Sequence, residues 1–323
     1  MSGSKCRWWV FVAGALGVLA GSVHAQANYP DKPIRLVVGF GAGGPTDLPA
    51  RAIADKMGAS LGQRVVVENK TGASGQIATQ DVLSKPRDGY NLLLCTHFES
   101  INLALHRKAP YKLEDIAPIS QISRYYYGVA VANAVPAQTW EALISHAKAN
   151  PGKIYYGSVG RGSAQEILAL ELAKLTGIDL TGVSYKGASQ MMPDLLAGRV
   201  HLFVSPTLSV MPSYKAGKLK MLAVTSPERL AAAPEVPTLK EKGLAFVRFG
   251  WLGICAGAGT PQPIIALLNR HVAEAVMAPD YRQLIEKAGS IPLSSTPQEL
   301  SQILAETYAQ TAATVREFGL QQD

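Results

Sequence analysis

Apolar and polar positions along this chain follow two rhythms. Short apolar runs at 34–40, 65–68 and 90–96, the first with β-branched residues, have the length of buried strands. Between them, residues 45–57 and 75–83 carry apolar side chains at helical spacing. That alternation predicts a parallel sheet wrapped by right-handed crossovers, with ligands at the carboxyl ends of its strands. Residues 39–47, 71–76 and 96–100 all fall at this edge. A strand at 127–132 and a helix at 139–149 start the pattern again. Strands follow at 154–158, 181–185, 200–205 and 219–225, separated by helices at 163–175, 189–196 and 208–216. After an apolar stretch at 246–256 come helices at 263–277, 280–288 and 297–318.

Two of the strand-to-helix junctions are rich in glycine. In the first, GFGAGGPTD, Gly39, Gly41, Gly43 and Gly44 strip away the side chains that would hold a ligand off the backbone. The first free amides of the following helix, at the positive end of its dipole, favour an anion. Phe40, Thr46 and Asp47 flank this cradle: Thr46 caps the helix or donates to a ligand oxygen, and Asp47 caps free amides or binds an amino group. The second junction, GSVGRGS, repeats the theme with Gly157, Ser158, Gly160, Arg161, Gly162 and Ser163, the last a natural N-cap. Arg161 either holds a second carboxylate bidentately or points into water. Ser74 sits in a third glycine-bearing turn, Tyr185 and Lys186 at a strand end, Ser205 at another, and His97 is the histidine at the binding edge.

Other chemistries fit the same residues less well. Gly39, Gly41 and Gly44 satisfy G-x-G-x-x-G, with Glu68 where a dinucleotide fold places its ribose-binding acid, and a tight turn without any ligand is a further reading. GASLG at 58–62 matches G-x-S-x-G, but it follows a helix and precedes a strand, the reverse of a nucleophile elbow. No histidine pair has metal spacing and no Walker loop occurs. Neither an enzyme, a metal nor a cofactor is expected.

The first 25 residues read as a secretory signal, with Lys5 and Arg7 before an apolar segment and Val23-His24-Ala25 as a cleavage site. Cleavage after Ala25 would leave a periplasmic, soluble protein, since no later run reaches the roughly 18 apolar residues of a spanning helix. Loss of Lys5 and Arg7 lowers the net charge from +7 to +5. That is a mild bias towards anionic solutes, without the basic stripe and interleaved aromatics of a nucleic-acid binder. Cys95 and Cys255 lie in apolar strand-like runs; they would pair if the strands are neighbours, and buried free thiols are the expectation. The remaining length exceeds a comfortable single core, so two domains are expected.

Several longer motifs resemble one family. YPDKPIRLVVGFGAGGPTDLPAR, LGQRVVVENKTGASGQIATQDV, KPRDGYNLLL, ANPGKIYYGSVGRGS, VSYKGASQMMPDLLAGRV, PSYKAGKLKMLAVTSPERLAAAPEVPTLKEKG and GTPQPIIALLN occur in order along the chain. They resemble the Bug, or TctC-type, periplasmic substrate-binding proteins of tripartite tricarboxylate transporters. The resemblance implies an α/β, type II periplasmic-binding-protein fold, two Rossmann-like lobes with a ligand cleft between them. Lobe one would comprise residues 26–126 and 248–323, and lobe two 127–247. It also implies a carboxylate held by backbone amides and bridging waters from loops 40–47 and 157–163, then delivery to a membrane permease by a monomer. Tyr185-Lys186-Gly187 matches the family's Y-K-G turn. The chain departs from the family pattern at Gly39 and Gly257, where proline is usual, and at Arg161, Glu166 and Ser205. Gly39 is expected to make the first loop more flexible.

Overall fold

The computed structural model describes residues 29–185 and 188–322, so the expected signal segment and Lys186 lie outside the described residues. The chain begins β1 (Ile34–Val38), α1 (Asp47–Leu61), β2 (Val65–Asn69), α2 (Gln76–Leu83), β3 (Asn91–Thr96), α3 (Phe98–Leu105) and β4 (Ile116–Ala132). It continues α4 (Trp140–Ala149), β5 (Ile154–Ser158), α5 (Ala164–Thr176), β6 (Leu180–Ser184), α6 (Ala188–Leu196), β7 (Leu202–Pro206), α7 (Thr207–Lys215) and β8 (Leu219–Val224). The last elements are β9 (Phe249–Gly257), α8 (Gln262–Met277), α9 (Pro279–Lys287), β10 (Ile291–Pro292) and α10 (Pro297–Phe318).

The strands form two sheets on one plan. In the first, β1 lies between β2 and β3, parallel to both, as the alternating pattern predicts. Ile34, Leu36, Val37 and Val38 are all fully buried, because a parallel strand covered on both faces reads as a continuous apolar run. β9 then enters antiparallel between β3 and β4, so the sheet is mixed and runs β2-β1-β3-β9-β4. The second sheet repeats this arrangement as β6-β5-β7-β4-β8, with β5 parallel to β6 and β7. β4 serves both sheets: residues 116–126 pair with β9, and residues 127–132 pair with β7 and β8. Separate apolar cores lie beneath the two sheets, around Ile53, Leu94 and Leu268 in one and Phe203, Val210 and Leu172 in the other.

β4 is longer than the pattern predicts because polar residues interrupt its first half. Ser120, Gln121 and Ser123 are buried there. Ser295 satisfies part of that polarity, its amide donating to Ser120 Oγ at 2.9 Å while its hydroxyl accepts from the Gln121 amide at 3.0 Å. α3 is hidden for the same reason. Its buried Ser100 donates to the Leu304 carbonyl of α10 (2.8 Å), and its buried Asn102 donates to the Ser74 carbonyl (3.0 Å).

Two local expectations change. Cys95 and Cys255 are joined in a disulfide rather than left as thiols. β3 and β9 are antiparallel neighbours with Cys95 opposite Gly253, which puts the two cysteines on one face with Cα atoms 5.8 Å apart. Gly39 is fixed by contact, since a Cβ there would lie 2.7 Å from Gly75 Cα, and so the residue permits close approach of two loops rather than loosening one. At Gly257 a Cβ would meet the Arg87 guanidinium at 2.4 Å, so a side chain there would displace the exposed arginine. Among the described residues no helix is long and apolar enough to cross a membrane.

Candidate functional site

The carboxyl ends of β1, β3, β5 and β7 open into one cleft of about 1010 Å³. The folding logic is the one seen in the sequence: each strand ends in a turn that leads into a helix, and these turns share one edge. Phe40, Gly41, Gly44, Thr46 and Ser74 line the cleft from the first sheet, and Gly160, Arg161, Gly162 and Ser163 line it from the second. The two glycine loops therefore face each other across a common space.

Each loop uses an acid four residues on to hold its own shape. Gly43 donates its amide to Asp47 Oδ2 at 2.8 Å, and Gly162 donates its amide to the Glu166 carboxylate. Ser163 Oγ, the N-cap of α5, accepts from the Glu166 amide at 3.3 Å, as expected for a serine there. The amides of Gly41, Ala42 and Thr46 in the first loop, and of Gly160 and Arg161 in the second, have no protein partner among the described residues. Thr46 Oγ1 is buried and also has no partner. Donors left over beside a cleft are what an incoming anion needs. Arg161 is exposed on the cleft wall, where its Nη2 lies 3.4 Å from the Gly319 carbonyl at the end of α10.

Several residues expected at the ligand are placed elsewhere. Gly43 and Asp47 do not line the cleft. Asp47 is 1% exposed and its carboxylate is shared by Gly43, Arg51 Nε (2.8 Å) and Asn69 Nδ2 (2.8 Å). Burial works to raise its pKa, but hydrogen bonds from Arg51, Gly43 and Asn69 hold it below the usual carboxylate range. It is a brace for the loop. Gly157 packs on Met191, where a Cβ would come within 2.9 Å, and buried Ser158 pairs with Ser184 Oγ at 3.2 Å. Tyr185 donates its hydroxyl to Asp194 at 2.7 Å. Ser205 Oγ is buried with no partner, one residue from the cleft-lining Pro206.

An aromatic wall is the part of the cleft that pattern reading missed. Phe40 and Phe98 have ring centres 5.6 Å apart, Phe98 and His97 4.5 Å, His97 and Tyr125 6.0 Å, and Tyr125 and Tyr127 5.7 Å. The run YYY at 125–127 and the pair His97-Phe98 were the available signals, but strand and turn readings absorbed them. Burial pulls His97 down to about 4, so its imidazole is neutral near pH 7, with Nε2 3.5 Å from the Tyr127 hydroxyl. Burial likewise pushes the Tyr125 and Tyr127 hydroxyls above their ordinary range. Behind the wall, burial raises Glu99 to about 7, although it accepts from the Thr96 amide (2.5 Å) and Thr79 Oγ1 (3.2 Å).

The competing chemistries lose their residues. Glu68, which would face a ribose, is ion-paired with Arg35 and lies 3.7 Å from Lys70. In the G-x-S-x-G segment, Ser60 donates to the Met57 carbonyl at the end of α1. His271 Nδ1 lies 2.8 Å from Ser60 and 3.7 Å from Glu274, so one nitrogen faces both groups and no proton relay is laid out. Among the described residues no group of three His, Cys, Asp or Glu could hold a metal ion.

Comparison with known proteins bears on the family and the fold. Residues 49–320 match the model of the tripartite tricarboxylate transporter family receptor. A "UPF0065 protein in gbd 5'region" of Cupriavidus necator is 36% identical over 314 residues, covering 95% of this chain and 94% of the relative. Protein BugT of Bordetella pertussis is 34% identical over 314 residues, covering 96% and 95%. Among solved structures, periplasmic binding protein BugD superposes with a TM-score of 0.78 at 31% identity, covering 91% of this chain and 100% of that one. An R. palustris protein with adipate gives 0.79 at 30% identity, covering 90% and 98%. MatC from Rhodopseudomonas palustris with bound malate gives 0.76 at 28% identity, covering 89% and 100%.

Proposed function

The chain belongs to the tripartite tricarboxylate transporter receptor family, whose members are periplasmic solute-binding proteins and not enzymes, and from that premise we propose that it captures a small carboxylated solute between two lobes. The supporting observation is the pair of glycine loops opposed across one cleft, with main-chain donors on both sides left without protein partners. A carboxylate placed there accepts from Gly41, Ala42 and Thr46 on one side and from Gly160 and Arg161 on the other. Adipate and malate in the related structures are carboxylates of suitable size.

In this reading the lobes are residues 26–126 with 248–323, and 127–247, after cleavage behind Ala25. β4 and β9 connect them, and closure bends the segments 125–128 and 246–250. The closed monomer then docks with the membrane permease of a tripartite transporter. Thermal-shift screening tests the assignment. Mono- and dicarboxylates should raise the melting temperature as ligand concentration rises above the dissociation constant. Stabilisation by nicotinamide dinucleotides alone would restore the dinucleotide reading of the Gly39 to Gly44 loop.

A further inference from the structure

The cleft does not end at the glycine loops. A second cavity of about 330 Å³ adjoins it, sharing Pro45, Thr46, Tyr125, Pro206, Ser209 and Leu252 as lining. Beyond those shared residues the walls are chiefly apolar, built from Leu48 and Pro49 of α1, Leu208 of α7, and Leu284, Ile285 and Ala288 at the end of α9. No lining side chain is charged. Leu48 is 50% exposed and Leu284 37% exposed, so apolar surface is left open to water next to a polar anion cradle.

Such a combination has a definite complement. A solute with one carboxylate fits its head to the loop amides, and a hydrocarbon tail covers the leucines and the Tyr125 ring. A second carboxylate at the far end would lose its hydration among uncharged walls without gaining a cation. We propose that this annex is a tail subsite, and that the ligand is a monocarboxylate with an unbranched aliphatic or aromatic tail. This rests on the carboxylate reading above and narrows it to one class. The occupant follows from adjacency: the annex and the head site share six lining residues, so a tail that passes these residues lets one molecule occupy both.

Calorimetric titration of the purified protein with butanoate, hexanoate, octanoate and adipate tests the subsite. Affinity should rise about fourfold for each added methylene, the ratio expected for burial of one CH₂. Hexanoate should bind more tightly than adipate, which has the same number of carbons. Ala288→Trp, which fills the annex, and Leu284→Asp, which charges its rim, should each flatten the dependence on chain length. That slope is a ratio within one variant, so a general loss of folded protein does not imitate it. Equal affinities along the series, adipate tighter than hexanoate, or slopes untouched by both substitutions would overturn the tail subsite while leaving a carboxylate receptor standing. Absence of binding by every acid would overturn the receptor reading itself, and the subsite with it.

Discussion

At the scale of single residues, charge is arranged to leave the cradle polar but not strongly positive. Among the described residues Arg161 is the cationic side chain on the cleft wall, and a hydrogen bond to a charged group contributes about 1.5–3 kcal/mol. Arg161→Ala should therefore weaken short and long carboxylates alike by at least about tenfold, measured by titration calorimetry; unchanged affinities would remove it from the head site. Glu99 makes a different kind of prediction. Its folded pKa of about 7 lies above its ordinary value, so the folded state holds a proton that the unfolded chain releases between pH 4.5 and 7. Stability is accordingly greatest below pH 4.5 for this group and declines as pH rises to 7. Glu99→Gln, which stays neutral, should flatten that decline and raise the unfolding free energy at pH 8 more than at pH 5, by an amount on the order of 3 kcal/mol, read from denaturant melts at the two pH values. His97 acts in the opposite sense: its folded value near 4 makes it lose stability as pH falls from 6.5 towards 4. Equal stabilisation of the Glu99→Gln variant at both pH values would show that Glu99 titrates normally. Neither residue's burial could be read from sequence, because Glu99 and His97 sit where a loop was expected.

At the scale of elements, the two strand-to-helix junctions are built alike beyond their glycines. Each has an amide taken by the acid four residues later, Gly43 with Asp47 and Gly162 with Glu166. The glycine spacing was visible in the sequence, whereas the use of the acids was not, since a carboxylate in a first helical turn serves the dipole, the cap or a ligand equally well. Glu166→Gln keeps an acceptor for Gly162 and removes a negative charge from beside the anion. Carboxylate binding should tighten roughly threefold to tenfold, with a smaller gain at high salt. A loss of affinity would mean that Glu166 orders the second loop more than it repels the ligand. Strand and helix positions were largely legible, because both rhythms follow burial on one or two faces. α3 and the first half of β4 were not, since their buried serines, asparagine and glutamine are satisfied by partners far along the chain.

At the scale of the whole molecule, two sheets of like order share β4, and the disulfide ties β3 to β9 beside that strand. The bond spans a sequence separation of 160, long enough that loop-closure entropy gives a contribution of about 5 kcal/mol. Cys95→Ala with Cys255→Ala should lower the melting temperature by several degrees and remove its sensitivity to reductant; a melting curve that reductant leaves unchanged in the parent protein would argue against the bond. Family membership was legible because its motifs run the length of the chain, and it brought the fold with it. The chemistry of the ligand was not legible in the same way. Main-chain donors recognise a carboxylate without specifying what it carries, and the annex exists only once α1, α7 and α9 are brought together.

The most direct measurement is a crystal structure of the protein with bound hexanoate. The account predicts the carboxylate between the two glycine loops, accepting from amides of both, with the chain directed past Tyr125 towards Leu284. A carboxylate held by one loop alone, or seated outside the cleft, would contradict it.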